Sequence, residues 1–394
     1  MKKKLLILAV AGLALASCSN DQTVATQVNR GANEISFRTN VNGVTRAADI
    51  HAGTGTNGLK TIGFYVTAAY TTATPTLYFA DQHYKLASTG PDVWKPTDDN
   101  GSSWKAIYWP DGSDVLDFHA YAPVAGTQLV VSNTNIGSLN GCPEYTVTPA
   151  PTTDATSTDT QIDFIYATLT DKDNADGSMN LAFNHEESKI SINLKNTDAA
   201  LTITVSEVAL CNIVPSGTFK NRDASPSTST TMGWGDFGSP LTTYYQTLAS
   251  ATTYTTSAAA GSSWILIPHP LANPTTDGEY TGSTTGDGYN GAYIRVKMKV
   301  QSTTNPTIYY AGAASGANEY VSAIWPISTN TSAQLWTACT HYTYTVDLAG
   351  GGYYETNQAT PSGATLDRVL NLHQITFATV TVTDWTPSNS NVGM

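Results

Sequence analysis

The sequence predicts an all-β protein, two tandem antiparallel β-sandwiches, and three observations carry that expectation. Only 13% of the residues are charged, whereas helices of soluble proteins carry Glu, Lys and Arg on their wet faces. Thr, Ser, Gly, Tyr and Ala dominate instead, which favours strands and turns. Apolar and polar residues alternate along the whole chain, and no window beyond a turn or two has a helical period. Finally, 394 residues are more than one hydrophobic core usually serves.

The first element is an export signal, residues 1–17. Lys2, Lys3 and Lys4 precede an apolar run from Leu5 to Leu15, which ends in small residues before Cys18. The run is well short of the ~20 residues that span a bilayer. Leu15-Ala16-Ser17-Cys18 resembles a bacterial lipobox, in which the cysteine is acylated and becomes the new N-terminus. Several acyl chains, at ~0.8 kcal/mol per buried methylene, would hold the chain on a membrane. Residues 18–46 then read as a polar tether followed by a first strand.

That strand is residues 34–41, with Ile35, Phe37 and Val41 on one phase and Thr39 continuing the period. Asn42-Gly43 turns the chain, and Arg46 stands beside Ala47 and Ala48 in a polar stretch. Short alternating strands follow at Ile62–Val66, Leu116–Tyr121, Ile162–Tyr166, Leu181–His185 and Ile190–Leu194. The domain boundary is expected in Asn196–Ala200, giving domains 47–197 and 198–394.

In the second half the apolar phase slips between Val205 and Val208, which predicts a bulge or bend. Ile294, Val296, Met298 and Val300 alternate with charged residues, and Tyr342, Tyr344, Val346 and Leu348 with polar ones. Thr/Ser/Pro/Gly-rich segments at 145–160, 222–262, 271–291 and 302–318 are expected as surface loops. A last β-rich run holds Ile375, Phe377, Val380 and Val382, with one phase shift.

Little in the chain points to catalysis. The seven histidines are dispersed without metal-ligand spacing, and nucleophile-elbow, Walker and dinucleotide motifs are absent. No enzyme activity, metal or cofactor is expected. His185-Glu186-Glu187 puts its two carboxylates on opposite strand faces. Asp171–Gly177 has calcium-loop acids without the twelfth-position glutamate, and a hairpin turn explains them. Cys142, Cys211 and Cys339 could share one bridge or stay buried thiols. A net charge of −12 argues against a nucleic-acid partner. Trp94, Trp104 and Trp109 could form a sugar platform or the buried face of a strand.

The order of motifs is similar to the fimbrillin family of Bacteroidia, the lipoprotein pilins of type V pili. It runs from the lipobox and Thr45-Arg46-Ala47 through Tyr108-Trp-Pro110, Leu116–Pro123, Asp163–Ala167 and Leu181–His185. It continues with Gly217-Thr-Phe219, Ile265–Pro268 and Tyr342-Thr-Tyr344 to Val382-Thr-Asp-Trp385. The resemblance implies transthyretin-like Greek-key sandwiches and a structural fimbrial subunit, of stalk or tip, that supports adhesion. It implies an outer-membrane precursor held by lipid on Cys18. An arginine-specific protease would cut after Arg46, making Ala47 the new N-terminus. The strand carrying Ile35, Phe37 and Val41 would leave, and a strand of the next subunit would replace it in an extracellular fimbrium. Residues 373–394, with Ile375, Phe377, Val380 and Val382, are the candidate donor, and read equally as the last strands of the second sandwich. Partners would be other fimbrial subunits, alike or different, and host or bacterial surface glycans or proteins. The alternative is a surface-anchored glycan-binding lipoprotein using the aromatics at 94–109.

Overall fold

A computed structural model describes residues 34–41, 59–89, 92–98, 103–110, 114–123, 125–150, 161–223, 231–255, 259–272, 291–317, 319–327, 335–350, 353–354 and 379–384. The alternating segments form strands. In the first half these are β1 (Ser36–Val41), β2 (Phe64–Tyr70), β3 (Leu77–Thr89), β4 (Asp92–Pro96), β5 (Leu116–Ala122), β6 (Leu129–Ser132), β7 (Glu144–Val147), β8 (Ile165–Lys172) and β9 (Ser178–His185). A single helical turn, α1 (Leu59–Ile62), leads into β2. Gly63 joins them at φ +83°, where a Cβ would meet the Tyr84 carbonyl oxygen, so glycine is required there.

The second half contains β10 (Ser188–Lys195), β11 (Leu201–Ile213), β12 (Gly217–Asn221), β13 (Met232–Gly235), β14 (Thr242–Tyr254), β15 (Ala259–Leu266) and β16 (Tyr293–Ser302). It ends with β17 (Tyr309–Ala311), β18 (Val321–Pro326), β19 (Thr340–Asp347), β20 (Tyr353–Tyr354) and β21 (Thr379–Asp384). Much of 222–262, expected as loop, is therefore strand. Its Thr-rich sequence still alternates, with Tyr244 and Gln246 buried on β14, and β-branched threonine suits a pleated surface. β7 and β17 likewise reach into the stretches expected as loops at 145–160 and 302–318.

Seven first-half strands hydrogen-bond in the closed order β1-β4-β3-β2-β5-β8-β9. β1 closes this barrel: it lies antiparallel to β4 and parallel to β9. Phe64, Val66, Phe118, Leu181 and Phe183 fill its core. The second unit is a sandwich of two sheets, β15-β10-β19-β21 and β14-β11-β16-β18-β20. Ile190, Ile192, Val208, Ile294, Met298 and Tyr344 fill the space between them. The slip on β11 is a bulge between Val205 and Glu207 in both of its ladders.

All described ladders are antiparallel except two, β1 with β9 and β10 with β19. Each parallel pair brings the first strand of its unit onto a late one, which no tight turn can do. The expected boundary at 197/198 follows β10, whose ladder partners all lie in the second unit.

A four-stranded sheet, β13-β12-β7-β6, takes two strands from each half of the chain. It covers a third apolar cluster that includes Tyr121, Tyr145, Phe164, Tyr166, Phe219 and Ile267. Because residues from both halves share this cluster, the two units are packed against each other.

Candidate functional site

β1 reaches the first core through Ile35 and Phe37, at 0% and 1% exposure, while Arg38 points to solvent. Phe37 sits edge-on to Tyr84 at 5.0 Å, Phe118 at 5.4 Å and Phe64 at 6.3 Å between ring centroids. Its ladder neighbour on β4 is Trp94, and on β9 it is Met179. Edge-to-face rings gain ~0.5–1.5 kcal/mol per pair beyond their buried area, so this slot is shaped for an aromatic side chain. The Ile35 N–H donates to the Ile107 carbonyl at 2.8 Å, and Glu34 bridges to Tyr108. The short segment Glu34–Val41 thus touches two strands and the Ile107–Tyr108 segment.

Removing β1 would therefore do more than lose a strand. The barrel would open into a sheet with β4 and β9 as raw edges, and the sockets of Ile35 and Phe37 would face water. Unpaired edges are templates for another strand. Burial pushes the Tyr84 hydroxyl up, with Glu34 adding to it. Among the described residues no group hydrogen-bonds that hydroxyl or the Trp94 indole N–H. Each such group costs ~1–3 kcal/mol while it stays buried.

The other expected site residues fall in different places. Val41 is opposite Phe183 at the end of the β1–β9 ladder. Cys18, Arg46, Ala47, Ile375 and Phe377 lie outside the described residues. Val380 and Val382 are on β21, paired with Tyr344 and Tyr342 at an edge of the second sandwich. Of the three tryptophans, Trp94 and Trp109 are core residues at 0% and 7% exposure. Trp104 alone is open, at 55%, with the Lys95 ammonium 5.9 Å from its ring centroid. Alternation could not distinguish these fates, because Trp94 is set beside Phe37 and against Phe64, from other strands.

His185-Glu186-Glu187 proves to be a joint between the units rather than an acid–base pair. His185 Nδ1 lies 2.9 Å from the Asp163 carboxylate, and Glu187 accepts the Phe164 N–H at 2.7 Å. The Cys339 N–H donates to the Glu187 carbonyl from the second unit. Gln161 accepts the Ile265 N–H on β15 at 2.6 Å, which ties the same segment across. Burial drives the Glu187 carboxyl well above its usual range, despite the Phe164 N–H. For His185 burial works against charge, but Asp163 prevails and raises it. Sequence reasoning missed this role because the partners are far apart in the chain.

The acids at 171–177 are also accounted for. Asp173 and Asp176 cap a turn between β8 and β9 reciprocally, with the Ala175 N–H donating to Asp173 at 2.7 Å. Among the described residues no group of three or more His, Cys, Asp or Glu side chains is placed to hold a metal. Cys142, Cys211 and Cys339 are thiols, the first two buried.

A family profile described as fimbrillin-like matches residues 45–385. No curated protein matches the chain. Among solved structures, a fimbrial protein from Bacteroides vulgatus is similar at 14% identity and TM-score 0.49, over 79% of this chain and 94% of that one. A protein from Bacteroides uniformis provisionally described as a cell adhesion protein has 15% identity and TM-score 0.44, over 91% and 100%. Another so described, from Bacteroides ovatus, has 17% identity and TM-score 0.43, over 91% and 100%.

Proposed function

The chain belongs to the fimbrillin-like family, and on that premise we propose that it is a structural subunit of a cell-surface fimbria that assembles by exchange of β1. It is exported as a lipoprotein and held at the outer membrane through Cys18. A protease specific for arginine cuts after Arg46, β1 leaves, and a strand of another fimbrial subunit closes the barrel. The fibre so built supports adhesion, and no catalytic step is involved. The observation that carries this reading is the double role of β1, which fills the first core with Ile35 and Phe37 and pairs with both β4 and β9.

The order of events has a physical basis. While β1 is in place the precursor exposes neither edge and cannot pair wrongly. Once β1 is gone, an incoming strand recovers both ladders and both sockets, as in donor-strand complementation. N-terminal sequencing of the protein from fibres on its native cells is the test. A start at Ala47, with fibres lost in Arg46→Ala cells, is expected. Fibres whose subunits retain residues 34–41 would overturn the proposal.

A further inference from the structure

Two aromatic side chains that no core uses stand on one extended segment. Residues 103–108 return antiparallel past the end of β4: the Lys105 N–H donates to the Pro96 carbonyl at 2.9 Å, and Trp104 bridges to Thr97. Trp104 and Tyr108 are 55% and 56% exposed. They share one phase of the segment, and four residues of extended chain set them ~13 Å apart. The Tyr78 hydroxyl donates to the Tyr108 carbonyl at 2.6 Å and holds the far end.

A cation stands beside the first ring. Lys95 Nζ lies 5.9 Å from the Trp104 ring centroid, and the ladder partner of Lys95 on β3 is Lys85. Their chain neighbours Tyr84 and Trp94 are buried in the core, so the two lysines share the outer face. His83 is stacked on Tyr65 at 4.4 Å, and burial holds it below its usual value despite the Ile62 carbonyl, with Lys85 adding to the effect. It therefore brings no charge at neutral pH. The acids nearby are Asp98, which accepts the Ser103 N–H at 3.2 Å, and Glu34, which bridges to Tyr108. The segment thus has a cationic end at Trp104 and an acidic end at Tyr108.

We propose that Trp104, Lys95 and Tyr108 form a binding site for an oligosaccharide that ends in a carboxylated sugar. Such a sugar has an apolar C–H face to cover the indole and a carboxylate at its rim to reach the Lys95 ammonium. An exposed indole covered in this way leaves water, which favours binding. The next ring, uncharged, lies toward Tyr108, where Glu34 would repel a second acid. A polyanion is disfavoured by the net charge of −12. An acidic peptide supplies the charge without a rigid face for the ring. The inference goes beyond the fimbrial reading and stands whether or not β1 is exchanged, since β4 and residues 103–108 supply all three side chains.

Titration calorimetry of the full chain with sialyllactose, its methyl ester and tetraglutamate is the test. The acid is expected to bind, and the uncharged ester to bind about threefold more weakly, as for an exposed ion pair. Lys95→Gln should bring the acid down to the ester's affinity, leave the ester unchanged and remove the dependence on NaCl. Trp104→Ala should weaken both sugars about tenfold, whereas Trp104→Phe, which keeps an aromatic face, should retain most of the affinity. Both positions lie on the surface, so the variants should keep the Tm of the parent chain. No binding of sialyllactose at millimolar concentration, binding that Trp104→Ala leaves intact, or equal affinity for acid and ester would each overturn the inference. Tetraglutamate binding as tightly as sialyllactose would overturn it as well, and would assign this face to an acidic protein segment.

Discussion

β1 and β10 occupy the same architectural place in their two units, yet they are held very differently. Each opens its unit and lies parallel to a late strand, β1 to β9 and β10 to β19. Each buries alternate apolar residues, Ile35 and Phe37 in one, Ile190, Ile192 and Leu194 in the other. On its second side β10 is paired with β15 from Ser188 to Leu194. β1 meets β4 only at Phe37 and Trp94 among the described residues. β10 also follows β9 after Glu186 and Glu187, whereas β1 precedes the segment with Arg46. Burial alone therefore does not set how firmly a strand is held. The extent of its second ladder also counts.

The largest effects should separate the two strands. An unpaired carboxylate in a core costs several kcal/mol, so Ile192→Asp is expected to unfold the second unit. Phe37→Asp should instead eject β1 and leave the rest folded. Hydrogen exchange resolved by peptide would show this as loss of protection across β10, β15 and β19 in the first variant, and at β1 and its neighbours β4 and β9 in the second. Global unfolding by Phe37→Asp would erase the contrast between the strands.

Phe37→Ala, which keeps the strand neutral, should destabilise β1 by ~3–5 kcal/mol, the usual cost of truncating a buried aromatic residue. The cost should appear as faster exchange of the β1 amides, with the amides of β11 and β16 unchanged.

Acid should act on both units by a similar amount. Burial depresses His119, beside the Tyr166 hydroxyl, and His269, beside the Ile267 carbonyl, to about 4. Each stays neutral when folded, so its stabilisation is full above the unfolded value near 6.5 and is lost as pH falls from there towards 4. From the size of the shift each contributes about 3 kcal/mol. Replacing either by Gln should flatten the fall in Tm between pH 7 and pH 4, followed by calorimetry.

An effect of opposite pH dependence is expected at the link between β9 and β10. Glu187 has a raised carboxyl, so the unfolded chain releases its proton first and stability falls as pH rises above ~4.5. The raised His185 acts in the same direction, its contribution being lost as pH rises through its folded value. Glu187→Gln, which can still accept the Phe164 N–H, should raise Tm at pH 8 and leave it unchanged at pH 4. An equal gain at both values would mean that charge at this joint is unimportant.

Much of this architecture is legible in the residues themselves. The period of two locates β2, β5, β9, β10, β16 and β19, and the slipped phase on β11 locates its bulge, because facing is set residue by residue along a pleated chain. β14 escapes that signal because threonine reads as polar in a loop as readily as in a strand. Trp94 and Trp104 are equivalent in sequence, both being large aromatics in one short stretch. Only the place of Trp94 in the first core, beside Phe37 and against Phe64, distinguishes them.

Neighbouring residues are enough to set the strands, their inward faces and the position of Arg46 close behind a first strand. These are local properties, carried along the chain from one residue to the next. Only the assembled fold makes β1 close a barrel, meet β4 at one point and β9 along its length, and joins two units through Glu187 and Gln161. Strand partners come from distant parts of the chain, and a period of two says which side of a strand is buried without saying what lies beside it.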